Sequence, residues 1–345
     1  MKKYGFVIFL IVQVMFLQFL KFNAEFVETY YSNTIYKKIS LYSRKLFGIV
    51  NFSIGDIFYA IVIIIFIIGF FQTIKKRKLF FLQIVNFISI FYFLFHVLWG
   101  YNYYRIPLSD KMEINTNYTD DDLLKFTEKM IQRTNTTHFL ITKNQHLKVV
   151  VPYSTEQIFA QCSTGFENIS AKFFYLKLDN QSTKKSLFSV PLSYMGFGGY
   201  LNPFTNEAHI NVEMPKHTFA TTASHEMAHQ LGLASESECN FIGYLAASSN
   251  KNLYVKYSAE SFALRYCLKF IQLKNPNKFK SLLAKVNAGI LANFDESDVF
   301  WSNHQSVVET GFKTFYDQFL KANQQKDGLQ GYGKFLNLLI GFERK

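Results

Sequence analysis

The stretch Ser224-His225-Glu226-Met227-Ala228-His229-Gln230-Leu231-Gly232-Leu233-Ala234-Ser235-Glu236-Ser237-Glu238-Cys239-Asn240 holds two histidines four residues apart with a glutamate beside the first. Four residues are about one helical turn, so both imidazoles share a face and can reach one cation. His225 and His229 are the expected ligands of a zinc ion. Glu226 is the expected general base, beside them to take a proton from a water that the metal activates. Thr221, Thr222, Ala223, Ser224, Met227 and Ala228 suit a buried helix packed closely against a sheet, and Gly232 can end it in a left-handed conformation.

A zinc ion acting on water needs a third protein ligand and one open position. Glu236 and Asn240 stand one turn apart downstream, so both can face the metal, and the Asn240 side chain can accept a hydrogen bond from an imidazole N–H. Glu236 is therefore the expected third ligand. Glu238 competes, because only seven residues separate His229 from Glu236 and the next helix could begin later. A donor for a tetrahedral oxyanion is also needed, and Tyr257, His304 and Tyr316 are the candidates.

Around this motif the chain from residue 105 reads as a mixed domain of about 240 residues, large enough for a real core. Thr119 followed by Asp120, Asp121 and Asp122 predicts a helix start. Strands are expected over 146–151 and 172–178, with a helix over 155–169 between them. Residues 195–200 read as a flexible loop. Glu207–Met214 alternates as a strand, with Ala208, Ile210 and Val212 on one face and His209, Asn211 and Glu213 on the other. Helices are expected over about 217–231, 236–249, 253–273, 276–293, 297–323 and 330–341. A small mixed sheet followed by helices is an α+β domain.

The first 104 residues differ in kind. The whole chain is 49% hydrophobic, has 39 Phe and 21 Tyr, and is only 18% charged, against about 25% charged in an average soluble chain. That balance argues against both a fully soluble enzyme and a disordered chain. Three apolar runs, about 4–20, 54–74 and 79–100, match the span of about 20 residues that a bilayer core requires. Trp99, Tyr101, Tyr103 and Tyr104 close the third run as an interfacial aromatic belt. Lys2-Lys3 before the first run would suit a signal peptide, but no small-x-small cleavage site follows, so an uncleaved anchor is expected.

The net charge of +12 divides into +8 over residues 1–104 and +4 over 105–345. A basic excess on the apolar third fits membrane topology and not nucleic-acid binding. The turn Lys75-Lys76-Arg77-Lys78 is expected in the cytoplasm, which puts residues 105–345 outside. The 21–53 loop conflicts with this, since it carries Lys21, Lys37, Lys38, Arg44 and Lys45 on the side predicted to be external. Three cysteines are too few for a disulfide scaffold.

HEMAHQLG and ESECNFIGYLA, with GGYLNPFTNEAHIN upstream and WGYNYYRIPL after the third run, resemble the uncharacterised bacterial family known as domain of unknown function 3810. The similarity covers most of the chain, including the three spans. That family in turn resembles zincin-type zinc metallopeptidases, which implies His225, His229 and Glu236 or Glu238 as ligands and Glu226 as base. In the glutamate-ligand zinc proteases the third ligand opens a Glu-x-x-x-Asp pattern, here with Asn240 in place of Asp. Zincins also run an edge strand above the metal for an extended peptide, and Glu207–Met214, with His209 and Asn211, is the candidate.

The expected protein is thus a multi-pass protein of the cytoplasmic (inner) membrane, with domains 1–104 and 105–345. Its expected function is hydrolysis of peptide bonds in a peptide or protein substrate with Zn2+ as cofactor. A zinc-binding membrane sensor or scaffold without turnover is the alternative. A small transporter is disfavoured, because the spans lack intramembrane charge pairs.

Overall fold

The computed structural model describes residues 5–73, 77–325 and 333–345. Helix α1 (Gly5–Lys21) stops at Phe22-Asn23, and the chain turns by 101° into α2 (Ala24–Phe47). Two long apolar helices follow, α3 (Ile54–Thr73) and α4 (Arg77–Leu98). Both are long and apolar enough to cross a membrane, and a third span is present if the bent pair α1 and α2 counts as one. α1 packs along α4 through Phe9 on Phe93, and Gln13 Nε2 donates to Ser89 O at 3.2 Å inside that contact. Lys2, Lys3, Lys75 and Lys76, on which the expected orientation partly rests, lie outside the described residues.

The expected 21–53 loop is mostly helix. α2 is π-helical over Val27–Ile35, with Thr34 Oγ1 donating to Thr29 O five residues back. Beyond that wide turn, Tyr36, Ser40 and Arg44 recur every four residues and are buried as one polar face. Arg44 is consumed by the fold, which removes one of the five basic residues that conflicted with the predicted topology.

After α4 come α5 (Asp120–Thr142) and α6 (Thr155–Ser170), each opened by a capping box: Thr119 with Asp122, and Ser154 with Gln157. The strand expected over 146–151 is absent. Val149 instead donates its N–H to Asn293 Oδ1 and accepts from Asn293 Nδ2, so a side chain takes the place of a neighbouring strand. The strand expected over 172–178 is a short 3-10 turn at Phe174–Leu176 with Phe174 exposed.

The sheet is small and mixed: β1 (Thr183–Lys185), then α7 (Ser189–Met195), β2 (Gly199–Leu201) and β3 (Ala208–Ile210). Its order is β1-β3-β2, with β3 parallel to β1 and antiparallel to β2. The expected edge strand is therefore the central one. His209 and Asn211, expected to face a substrate, are fully buried: Ser53 Oγ lies 2.7 Å from His209 Nε2, and Asn211 Nδ2 donates to Ser193 Oγ.

The remainder is helical: α8 (Phe219–Gln230), α9 (Glu236–Ser248), α10 (Leu253–Lys274), α11 (Pro276–Leu283), α12 (Ala288–Asn303), α13 (Val307–Ala322) and α14 (Gly333–Glu343). The helices expected over 276–293 and 297–323 are three, broken at 284–287 and 304–306. The core lies among α5, α6, α8, α9, α10 and α14 around Phe166, Met227, Phe241 and Phe335, each fully buried. Burying such a side chain contributes about 1.5–3 kcal/mol.

Candidate metal centre

α8 lies between the sheet and α9, and its small residues let both approach. Ala223, Ala228 and Ser224 have no exposed surface. On the other side, a Cβ at Gly243 of α9 would sit 2.8 Å from His225 N, so glycine permits that helix pair to touch backbone to backbone. On α9, Glu236, Asn240 and Gly243 recur at helical spacing, so the contact that needs Gly243 also brings Glu236 and Asn240 over the two histidines.

Glu236 Oε2 lies 3.2 Å from His225 Nε2, and Glu236 Oε1 lies 3.8 Å from His229 Nε2. One ligand atom from each of the three falls within 4.8 Å of the others. Ligand atoms around a tetrahedral zinc ion stand about 3.4 Å apart, from bond lengths of about 2.0–2.2 Å. The other ring nitrogens are committed. His225 Nδ1 donates to Asn240 Oδ1 at 2.8 Å and His229 Nδ1 donates to Leu233 O at 2.8 Å, which turns each Nε2 toward Glu236. The donor set fits a zinc ion.

Glu238 is excluded from the cluster by helical phase. α9 begins at Glu236, so Glu238 points about 200° away, and its Oε1 accepts from Leu108 N at 2.7 Å. Cys239 Sγ sits 3.2 Å from His229 Nδ1, behind the ligand. Of the three oxyanion candidates only Tyr316 reaches this cluster: its hydroxyl donates to Glu236 Oε1 at 2.6 Å. Tyr257 donates to Asn293 in the core, and His304 Nδ1 donates to Phe300 O.

Glu226 is 4% exposed, and its Oε2 has no hydrogen-bond partner among the described residues. Burial pushes its carboxyl up to about 8; His225 pulls it down and the Glu236 charge pushes it up further. Burial disfavours a charged His225, but the Glu236 hydrogen bond and the Glu226 and Glu236 charges outweigh it and raise the imidazole above its ordinary value. Glu236 is pushed up by burial and held down more strongly by His225, His229 and Tyr316, well below the usual carboxylate range. The pocket thus stabilises negative charge on Glu236 more than on Glu226.

The strand next to Glu226 is β2. A Cβ on Gly199 would lie 2.9 Å from Glu226 Oε1, and β2 is an outer strand of the sheet. A cavity of about 430 Å3 touches Glu236 from the side of Arg105, Glu238 and Asn337, but neither His225 nor Glu226 lines it. β2 thus places an outer sheet edge beside Glu226.

The signal that sequence reading missed is the ring of donors closing the C-terminal end of α8. Tyr36 Oη donates to His229 O and Gln230 O at 3.4 and 3.3 Å, and Ser40 Oγ to Gln230 O at 2.8 Å. Arg44 Nη1 reaches Gln230 O at 3.2 Å, Trp99 Nε1 reaches His229 O at 3.4 Å, and Arg105 Nη1 reaches Gly232 O at 2.9 Å. A helix leaves its last four carbonyls unsatisfied. Here α2 and the end of α4 supply most of the partners. Trp99 also stands edge-on to the His229 ring at 5.9 Å.

No curated protein and no solved structure matches the chain. The family described as Protein of unknown function (DUF3810) matches residues 31–340, from the middle of α2 to near the end of α14, and the chain belongs to that family.

Proposed function

We propose that the chain is a membrane-anchored, zinc-dependent metallopeptidase with a zincin-like site, its catalytic face on the extracytoplasmic side of the cytoplasmic membrane. The observation that carries this reading is the convergence of His225 Nε2, His229 Nε2 and a Glu236 carboxylate oxygen within 4.8 Å. These three would hold the ion. When bound, zinc would supply Lewis-acid polarisation of a water molecule and of the scissile carbonyl.

The chain's own groups do the rest. Asn240 and the Leu233 carbonyl hold the two imidazoles in one tautomer. Glu226 accepts the proton of the attacking water and returns it to the leaving amine; its burial raises proton affinity, which suits a group that must do both. The outer edge of β2 offers backbone groups to an extended peptide, next to Glu226. Tyr316, already 2.6 Å from Glu236, is the nearest candidate side-chain donor for the developing oxyanion.

The test uses the full chain in lipid nanodiscs, its zinc content measured by elemental analysis, and a fluorogenic peptide library. Wild type is expected to hold one zinc and cleave, His225→Ala to lose the zinc, and Glu226→Gln to keep it while turnover falls by about 100-fold or more. Zinc retained in both with no cleavage abolished by Glu226→Gln would leave a sensor or scaffold. Absence of zinc from wild type would end both readings.

A further inference from the structure

Two apolar stripes flank the candidate site and face solvent. On α13, Val308, Phe312, Phe315 and Phe319 follow one another at spacings of four, three and four, a single helical face. Val308 and Phe315 are 54% and 65% exposed. Leu187, just before α7, and Val190 and Tyr194 on it form a second stripe of largely exposed residues. A water-facing domain has no use for such surfaces, and contiguous apolar patches mark binding sites.

Both stripes begin at a membrane helix. Phe319 packs on Phe95 of α4 with ring centroids 5.9 Å apart, and on Tyr103 at 6.3 Å. At the other stripe, Leu187 N and Ser186 Oγ donate to Asp56 in the first turn of α3, at 2.7 and 3.1 Å. The Tyr200 hydroxyl of β2 also donates to Asp56, and the Tyr200 ring stacks on Tyr59 of α3. The stripes meet through Phe197 on Phe312 and Ser306 Oγ donating to Tyr194 O. α13 carries its ion pairs, Lys313 with Glu309 and Lys321 with Asp317, beside the apolar face, the pattern of a helix lying in a bilayer interface. From the same helix Tyr316 reaches Glu236.

We infer that the α7–α13 face is seated in the lipid interface, so that the outer edge of β2 is fed from the membrane and takes the juxtamembrane segment of a membrane-tethered peptide. The occupant of the face is lipid, because both stripes continue surfaces of α3 and α4. The substrate class rests on the metallopeptidase reading; the seating does not.

The seating is read first. The three native cysteines are buried, so a nitroxide attaches selectively to an introduced one. Val190→Cys, Phe315→Cys and Val150→Cys are made in the full chain; Val150 adjoins the residue paired with Asn293 of α12. In phosphatidylcholine–phosphatidylglycerol nanodiscs, labels at 190 and 315 are expected to collide with oxygen in preference to the water-soluble nickel complex, and the label at 150 to do the reverse. Nickel preference at all three overturns the seating, as does spin–spin broadening at 190 or 315 that grows with protein concentration, which would mean a second copy.

Substrate class is read with the fluorogenic library in two forms, free and carrying an N-terminal palmitoyl chain on vesicles. Anchored peptides are expected to be cleaved at least about tenfold faster, with Phe315→Glu removing that advantage. Equal rates for both forms overturn the membrane feed while the metallopeptidase reading stands. Cleavage of neither form refutes that reading and the substrate class with it, and the nitroxide result still decides the seating.

Discussion

Replacing Arg44 with Met tests whether α2 completes the candidate metal centre. Arg44 is 6% exposed, and its guanidinium donates to Asp179 O, Asn180 O, Asn206 Oδ1 and Gln230 O at 3.0–3.2 Å. Methionine keeps much of the stem and removes the charge and every donor. Asp179 and Asn180 are exposed, so their carbonyls regain water at little cost. The loss concentrates on the buried partners, Gln230 O and Asn206 Oδ1. Hydrogen bonds to a charged group contribute about 1.5–3 kcal/mol each, and Ser40 and Tyr36 still reach Gln230 O. The net cost is then about 3 kcal/mol, equivalent to a fall in Tm of about 6–12 °C for a domain of this size. Because Gln230 follows His229, loosening this end of α8 also moves one ligand relative to Glu236. Thermal unfolding in nanodiscs, with zinc affinity from chelator competition, reads both effects. A Tm within about 2 °C of wild type together with unchanged zinc affinity would refute the reasoning.

Glu236→Gln should abolish stoichiometric zinc by elemental analysis while Glu238→Gln keeps it, the latter losing about 1–2 kcal/mol of stability from its bond to Leu108 N. Asn240→Ala should weaken zinc binding about 10–100-fold in chelator competition, and Asn240→Asp should strengthen it, because the added charge raises the basicity of His225. Glu28 supplies the pH dependence. Burial pushes its carboxyl up, but Arg105 and Lys111, at 2.8 and 2.7 Å, outweigh that and hold it at about 2 against an ordinary 4.5. A depressed carboxyl adds stability above its unfolded value and loses it as pH falls toward its folded one. Wild type should therefore exceed Glu28→Gln by about 3 kcal/mol near pH 7, with the gap closing between pH 4.5 and about 2, measured as urea midpoints across pH.

What was legible in the sequence were features set by short-range spacing. His225, His229, Glu236 and Asn240 lie on two helices whose phase follows from counting residues, and their convergence needed only that the helices touch. The apolar runs and the caps at Thr119 and Ser154 are local as well. What failed depends on partners far along the chain. Strand β3 alternates polar and apolar residues, which predicts one wet face, yet His209 and Asn211 are dry, with Ser53 on His209 Nε2 and Ser193 on the Asn211 amide. Residues 146–151 have strand composition, but Asn293, more than 140 positions away, takes the backbone bonds of Val149. α2 read as a basic loop because its polar face carries no apolar periodicity, and nothing nearby reveals that Tyr36, Ser40 and Arg44 meet α8.

The boundary at residue 104 separates apolar spans from mixed sequence, but the hydrogen bonds do not respect it. Asp56, in the first turn of α3, is bonded by Tyr200 of the outer strand. Glu207, fully buried after that strand, accepts from Gly55 N at 2.6 Å and lies 3.7 Å from Lys184 Nζ. These groups would be costly to bury unpaired. Each side of the boundary therefore holds a charged group that draws hydrogen bonds from the other. The same is true of α8, whose terminal carbonyls are closed by α2, Trp99 and Arg105. A ligand that binds the ordered arrangement of α8 and not its frayed form stabilises everything coupled to it. Zinc held by His225 and His229 would thus tighten the docking of α2, and the docking of α2 would tighten zinc, by equal free energies. A fragment beginning at residue 105 loses Tyr36, Ser40, Arg44 and Trp99 together, so weak metal binding by such a fragment would speak to the missing donors and not against the ligand set.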